Sequence, residues 1–270
     1  MNGVLERTLA ILELLSERAA GVELATVAEQ LAIPKSAAHR LLADLIRCGY
    51  VRQPREQGVY LLTTKLVSIG LSYLSQTGIV DIAQPMLDRL AEHSGELVRL
   101  AVVDGDRLTW VARAQGARQG LRYDPDMGSV ARLSCSSSGL AWLMTLPDDE
   151  ALAKVAQQGL GDRQHYGPGA PTNLQEVLAS LQEARQQGFS ITEETFTAGL
   201  NAMAAPVRLA GQSALGTISI AGPSSRLTRE RMQALGPELV AVAQQMAAAS
   251  AASPSLGGTR GKSALPAIYT

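Results

Sequence analysis

The sequence predicts an α+β protein of two domains, the first a winged helix-turn-helix and the second a mixture of strands and helices. Three observations carry that prediction. Residues 24–47 read as two short helices about a three-residue corner, and residues 50–62 alternate about a polar tip as a hairpin does. Beyond residue 79, strands and helices follow one another without the βαβ rhythm of a doubly wound sheet, and no glycine-rich phosphate loop follows a strand. A chain of 270 residues has length enough for two cores.

The first segment, Val4 to Glu17, carries two apolar stripes at helical spacing: Leu5, Leu9 and Leu12, and Thr8, Ile11 and Leu15. A helix apolar on more than one side has a face to spare for a partner. Leu24 to Leu31 comes next, then the corner Ala32-Ile33-Pro34, then the leucine-rich Lys35 to Arg47, closed by Gly49 where a helix C-terminus favours glycine. Val27, Leu31, Ile33, Ala38 and Leu41 supply the inward positions, with Ala28 as the small residue where the helices cross. The corner position often filled by glycine is Ala32, where a left-handed backbone costs roughly 1–2 kcal/mol. "YVRQPREQGVYLL" (50–62) is the hairpin, Thr64 to Gln76 returns to helical spacing through Leu66 to Leu74, and the first domain ends at residue 78.

This packing leaves Lys35, Ser36, Ala37, His39 and Arg40 on the outward face of the second helix. The whole chain is nearly neutral, 24 basic against 25 acidic residues, so any nucleic-acid site must be local. Between Pro34 and Arg55 the basic residues Lys35, Arg40, Arg47, Arg52 and Arg55 stand against the single acid Asp44. A recognition helix enters a major groove about 12 Å wide, so a small residue such as Ala37 at its front lets the backbone approach. Double-stranded DNA is therefore the expected partner, with His39 and Arg40 reaching base edges and Lys35, Arg52 and Arg55 holding phosphates.

The second domain, residues 79–252, opens with a hairpin, Val98 to Val103 and Leu108 to Ala112 about Asp104-Gly105-Asp106. Thr172 and Gln175 suggest a capping box for a helix running to Gln187, followed by Gly188 and a strand from Phe189 to Thr192. Met203 to Leu209 and Leu215 to Ala221 read as two more strands, and Thr228 to Ala249 as a last helix bent at Gly236-Pro237. Residues 253–270 lose periodicity and gain Ser, Gly and Pro, the composition of a disordered tail.

Two widely spaced cysteines, Cys48 and Cys135, argue for reduced thiols. The Met1 end shows no signal-peptide pattern, and no apolar run approaches the roughly 18 residues of a membrane helix, so a cytoplasmic protein without membrane association is expected. A hydrolase would need a base beside its nucleophile, yet only His93 and His165 lie outside the first domain, and Cys135 interrupts any Gly-x-Ser-x-Gly elbow before Ser137. The histidines and cysteines lack metal-ligand spacing. No catalytic residue, metal or cofactor is expected; a hydrolase or binding protein with a nucleic-acid tether is the alternative.

Helix, helix-turn-helix, hairpin wing and linking helix together resemble the N-terminal domain of the IclR family of bacterial transcriptional regulators. "RLSCSSSGLAWL" (132–143), "GLNAMAAPV" (199–207) and "ALGTISIAGPSSRLT" (214–228) are similar in order and spacing to that family's effector-binding domain. The resemblance implies a GAF-like second domain, a central antiparallel sheet flanked by helices, with a small-molecule effector on one sheet face. Its pocket maps onto Ser137, Ser138, Thr192, Ser219 and Ala221; Thr192 stands where some acid-binding members have an aspartate, and Ala221 replaces a serine. From the residues themselves, the loop Ser134, Cys135, Ser136, Ser137, Ser138, Gly139 precedes an apolar helix, where free N–H groups and hydroxyls suit a carboxylate without a buried cation. The same loop also reads as an ordinary N-cap. Fewer polar groups favour a ligand with an apolar or aromatic part, which Leu121 and Tyr123 would line. The expectation is a ligand-responsive regulator, a homodimer or tetramer joined through Val4 to Leu15 and Leu66 to Leu74.

Overall fold

A computed structural model describes residues 3–54, 58–125 and 127–252. The chain divides into two compact units, Met1–Gln76 and Thr77–Thr270.

The first unit runs α1 (Val4–Ser16), β1 (Val22–Glu23), α2 (Leu24–Gln30), α3 (Lys35–Arg47), β2 (Val51–Arg52), β3 (Val59–Leu62) and α4 (Lys65–Thr77). Its three antiparallel strands lie in the order β1-β3-β2, with Val22 opposite Tyr60 and Val51 opposite Leu62. The two-residue β1 is an addition to the expected hairpin, too short to show an alternation of its own. Ile11, Leu15, Val27, Ala38, Leu42 and Tyr60 meet in one core, each buried large side chain contributing about 1.5–3 kcal/mol. Val27, Ile33, Ala38 and Leu41 are buried as their spacing requires, whereas Leu31 and Ala28 are only half-buried. Ala32 does adopt the left-handed backbone, φ +51°. Its neighbour compensates: the Ile33 N–H donates to the Ala28 carbonyl at 3.0 Å while the Ile33 side chain is buried, fixing the chain on both sides of the strained residue.

The second unit begins with α5 (Ile79–Ser94) and builds a five-stranded sheet from β4 (Leu97–Asp104), β5 (Arg107–Gln115), β6 (Ser190–Glu193), β7 (Leu200–Val207) and β8 (Gly216–Pro223). The strand order is β5-β4-β8-β7-β6 and every neighbouring pair is antiparallel. Alternation along the strands divides the side chains between two faces. Val98, Leu100, Met203, Ile218 and Ile220 pack in one core with α5 and the long helix α9 (Arg229–Ala252). The other face packs Ala101, Leu108 and Trp110 with α6 (Ser137–Leu143), α7 (Asp148–Gln158) and α8 (Leu174–Gln187). The cap of α8 falls one residue later than expected: the Asn173 side chain accepts from Glu176 N–H at 3.0 Å, and the Glu176 carboxylate reaches back to Thr172 N–H at 2.7 Å. An amide that can both cap and hold the carboxylate outcompetes the threonine hydroxyl. The expected tail, 253–270, lies outside the described residues.

Candidate functional site

On the first unit, α3 presents one half-turn of side chains to solvent. Lys35, Ser36, His39 and Arg40 are exposed and Ala37 is half-buried, while Ala38, Leu41 and Leu42 on the opposite side are in the core. None of Lys35, Ser36, His39 or Arg40 has a side-chain partner among the described residues, so their donors are free for an incoming surface. Arg52, exposed on β2, is equally free; Arg55 lies outside the described residues. Other cations nearby are committed. Arg47 bonds Asp44 at 2.9 Å, and Lys65 at the start of α4 donates to the Cys48 carbonyl at 2.7 Å, a positive charge at the negative end of α3. Among the described cations of the basic window, Arg47 is thus paired on its own helix, while Lys35, Arg40 and Arg52 are left without a partner.

On the second unit, a cavity opens against the α6 face of the sheet. Arg99, Trp110, Tyr123, Ser136, Ser137, Thr192, Phe196, Asn201, Ala202 and Ala221 line it. Period-two geometry explains the set: Arg99, Thr192, Ala202 and Ala221 occupy the positions of β4, β6, β7 and β8 that point away from α5 and α9, and Ala221 lies between Leu97 and Ala202 in register. Glycine at 139 lets the first turn of α6 close on the loop before it; a β-carbon there would stand 2.6 Å from Leu133 Cα. The free volume is about 20 Å³, little more than one water molecule requires.

Of the expected pocket residues, Tyr123, Ser136, Ser137, Thr192 and Ala221 line this cavity; Leu121, Ser134, Cys135, Ser138, Gly139 and Ser219 do not. Leu121 is 73% exposed. Ser219 sits across from Arg99 in register, its hydroxyl 3.5 Å from the Arg99 carbonyl. Most hydroxyls of the serine loop are already engaged. Ser136 caps α6 by accepting from Gly139 N–H at 3.0 Å and donates to the Arg132 carbonyl at 2.6 Å, and Ser138 accepts from the Trp110 indole N–H at 3.3 Å. Ser137 alone in α6's first turn keeps its hydroxyl unpartnered among the described residues. Burial pushes the Cys135 thiol up to about 11, the opposite of an activated nucleophile.

Arg99 was not expected. It is 5% exposed, with its guanidinium over the Trp110 ring at 3.9 Å and near the Tyr123 ring at 5.7 Å. The sequence carries a signal for it: in "LVRLAVV" (97–103) an otherwise continuous apolar run marks a strand buried on both faces, and a charge inside such a run must be buried too.

Residues 4–55 match the family model of the IclR helix-turn-helix domain, and residues 71–248 that of the bacterial transcriptional regulator IclR C-terminal domain. The chain is 30% identical to the acetate operon repressor of Salmonella typhimurium, covering 95% of this chain and 90% of that one. It is 30% identical to the HTH-type transcriptional repressor AllR of Escherichia coli over 87% of this chain and 85% of the relative. An IclR homologue of Microbacterium hydrocarbonoxydans, crystallised with 4-hydroxybenzoate, shares the fold at a TM-score of 0.74 and 20% identity, covering 92% of this chain and 100% of that one.

Proposed function

The chain belongs to the IclR family of bacterial transcriptional regulators, and from that premise we propose that it is a cytoplasmic repressor whose operator binding responds to a small organic acid. The observation that carries the reading is the outward face of α3, where Lys35, Ser36, His39 and Arg40 are exposed and unpartnered while Ala38, Leu41, Leu42 and Leu45 are core and Arg47 pairs with Asp44. Residues 1–78 serve as DNA-binding head with linking helix, and 79–252 as effector domain.

His39 and Arg40 read bases, and Lys35, Arg52 and Arg55 hold phosphates. A single head buries little DNA surface, so two heads on half-sites about 34 Å apart supply the affinity. Val4, Leu5 and Leu9 on α1 and Val67, Ile69, Leu71 and Tyr73 on α4 are exposed apolar side chains, which supports a homodimer or tetramer. The effector occupies the cavity beside Ser137, Thr192 and Ala221; the 4-hydroxybenzoate complex of the Microbacterium protein supports an acid with an aromatic body. It acts on DNA only through its differential affinity for two arrangements of the heads.

A thermal-shift screen of aliphatic and aromatic acids, followed by fluorescence anisotropy on DNA from the gene's own upstream region, tests the proposal. A ligand at 100 times its Kd stabilises the folded state by about 2.7 kcal/mol, and that ligand is expected to change the DNA affinity. Absence of DNA binding, combined with turnover of ester substrates, would establish the hydrolase instead.

A further inference from the structure

Two charges are buried near the start of β4, and the chain treats them in opposite ways. Glu96 accepts two hydrogen bonds from Arg226, at 2.6 and 2.8 Å. Arg99, three residues on, has no carboxylate among the described residues: its Nε is buried and donates to nothing. Arg113, opposite Arg99 in the β4–β5 register, is engaged by Asp124 at 2.5 Å. Loss of water pushes the Arg99 guanidinium down to about 10, which leaves it charged at neutral pH. A buried charge without a partner destabilises the fold, and the Trp110 face offsets only part of that. Its persistence in a cavity wall makes sense when the partner comes from outside.

We infer that Arg99 is the anion receptor of the cavity and that the effector is a planar aromatic monocarboxylate. This rests on the effector reading above and gives it a ligand class and a principal contact. A carboxylate beside the guanidinium supplies the acceptor that Nε lacks, in the paired geometry arginine offers, and the unpartnered Ser137 hydroxyl donates to the same group. The ring then lies among Trp110, Tyr123 and Phe196, whose Trp110–Phe196 pair is already edge-on at 6.0 Å. A second carboxylate on the far side of the ring would meet Phe196, Leu200 and Ala221 with no free cation, so monoanions are selected over dianions. About 20 Å³ does not admit a benzene ring. Tyr123 and Phe196, which stand on connections between elements and not in strands, are the side chains that must give way.

Calorimetric titration and thermal melting with benzoate, benzamide and terephthalate decide it, on wild type and on Arg99→Met and Arg99→Lys. Wild type is expected to bind benzoate at least about tenfold more tightly than the neutral amide, which brings no charge to Arg99, or the dianion, whose second carboxylate has no cation to meet it. Arg99→Met should weaken benzoate by about 10- to 100-fold and melt no lower than wild type without ligand, since it removes an unpaired buried charge; a structural arginine would leave a variant that melts lower. Arg99→Lys should recover part of the benzoate affinity. Benzamide binding as well as benzoate to wild type, or benzoate binding undiminished to Arg99→Met, overturns the role of Arg99 while the effector reading stands. If none of the three binds but another acid from the screen does, the ligand class is wrong; if no acid binds at all, the effector reading fails with it.

Discussion

Helix α3 and the cavity of the second unit keep their unpaired cations in opposite environments. Lys35 and Arg40 lie within six residues of one another and point into solvent, where an unpartnered charge is hydrated and costs little. Arg99 waits in the interior, and the residues around it come from β4, β5, β6, β7, β8, α6 and two connecting segments. On the proposed roles, the difference teaches that a polymer is read by surface side chains on which the core does not depend, whereas a small acid in a closed site is read by a charge that the fold has to bury.

Breaking a pair should sharpen the contrast most. Arg226→Met leaves Glu96 buried with only Arg231 nearby at 3.7 Å, and chemical denaturation should register a loss of about 3 kcal/mol. The same replacement at Arg99 should register none. Next in size, Arg40→Ala should weaken operator binding by about 1–3 kcal/mol and relax preference at one base position, as read by anisotropy on a panel of single-base variants. Its stability should stay within about 0.5 kcal/mol of wild type, as for most surface substitutions. Lys35→Ala and Arg52→Ala should act more gently, each lowering the slope of log affinity against log salt by about 0.9 across all sequences. The smallest effect concerns the thiols. Exposed Cys48 should react with a thiol reagent in native protein at pH 8 while Cys135 stays protected. Because the folded thiol of Cys135 titrates near 11 against 9.0 for the free group, its contribution is complete below pH 9 and lost toward pH 11, and Cys135→Ala should flatten that alkaline decline.

How much of this was legible in the sequence follows the same division. Periodicity identified α3 to the residue because one helix contains both its core side, Ala38 and Leu41, and its outward side, Ser36 and Arg40. Even the left-handed Ala32 was readable, since a three-residue corner constrains the backbone locally. The cavity was readable where a short motif contributes, as at Ser136 and Ser137, where the resemblance points, as at Thr192 and Ala221, or where an apolar ligand body called for an aromatic wall, as at Tyr123. Trp110 and Phe196 are brought beside Ser137 by sheet order, and nothing local to residues 110 or 196 announces that. Which serines of the loop remain free was likewise set at a distance, by Trp110 taking Ser138 and by the Arg132 carbonyl taking Ser136.

The claim that α3 reads operator DNA is tested most directly by equilibrium anisotropy of the wild-type chain at physiological salt on a duplex from its own upstream region and on a shuffled duplex of the same composition. The account predicts that the upstream duplex binds at least about 10³-fold more tightly, the margin that base contacts add to phosphate contacts. Equal affinity for the two duplexes would contradict it.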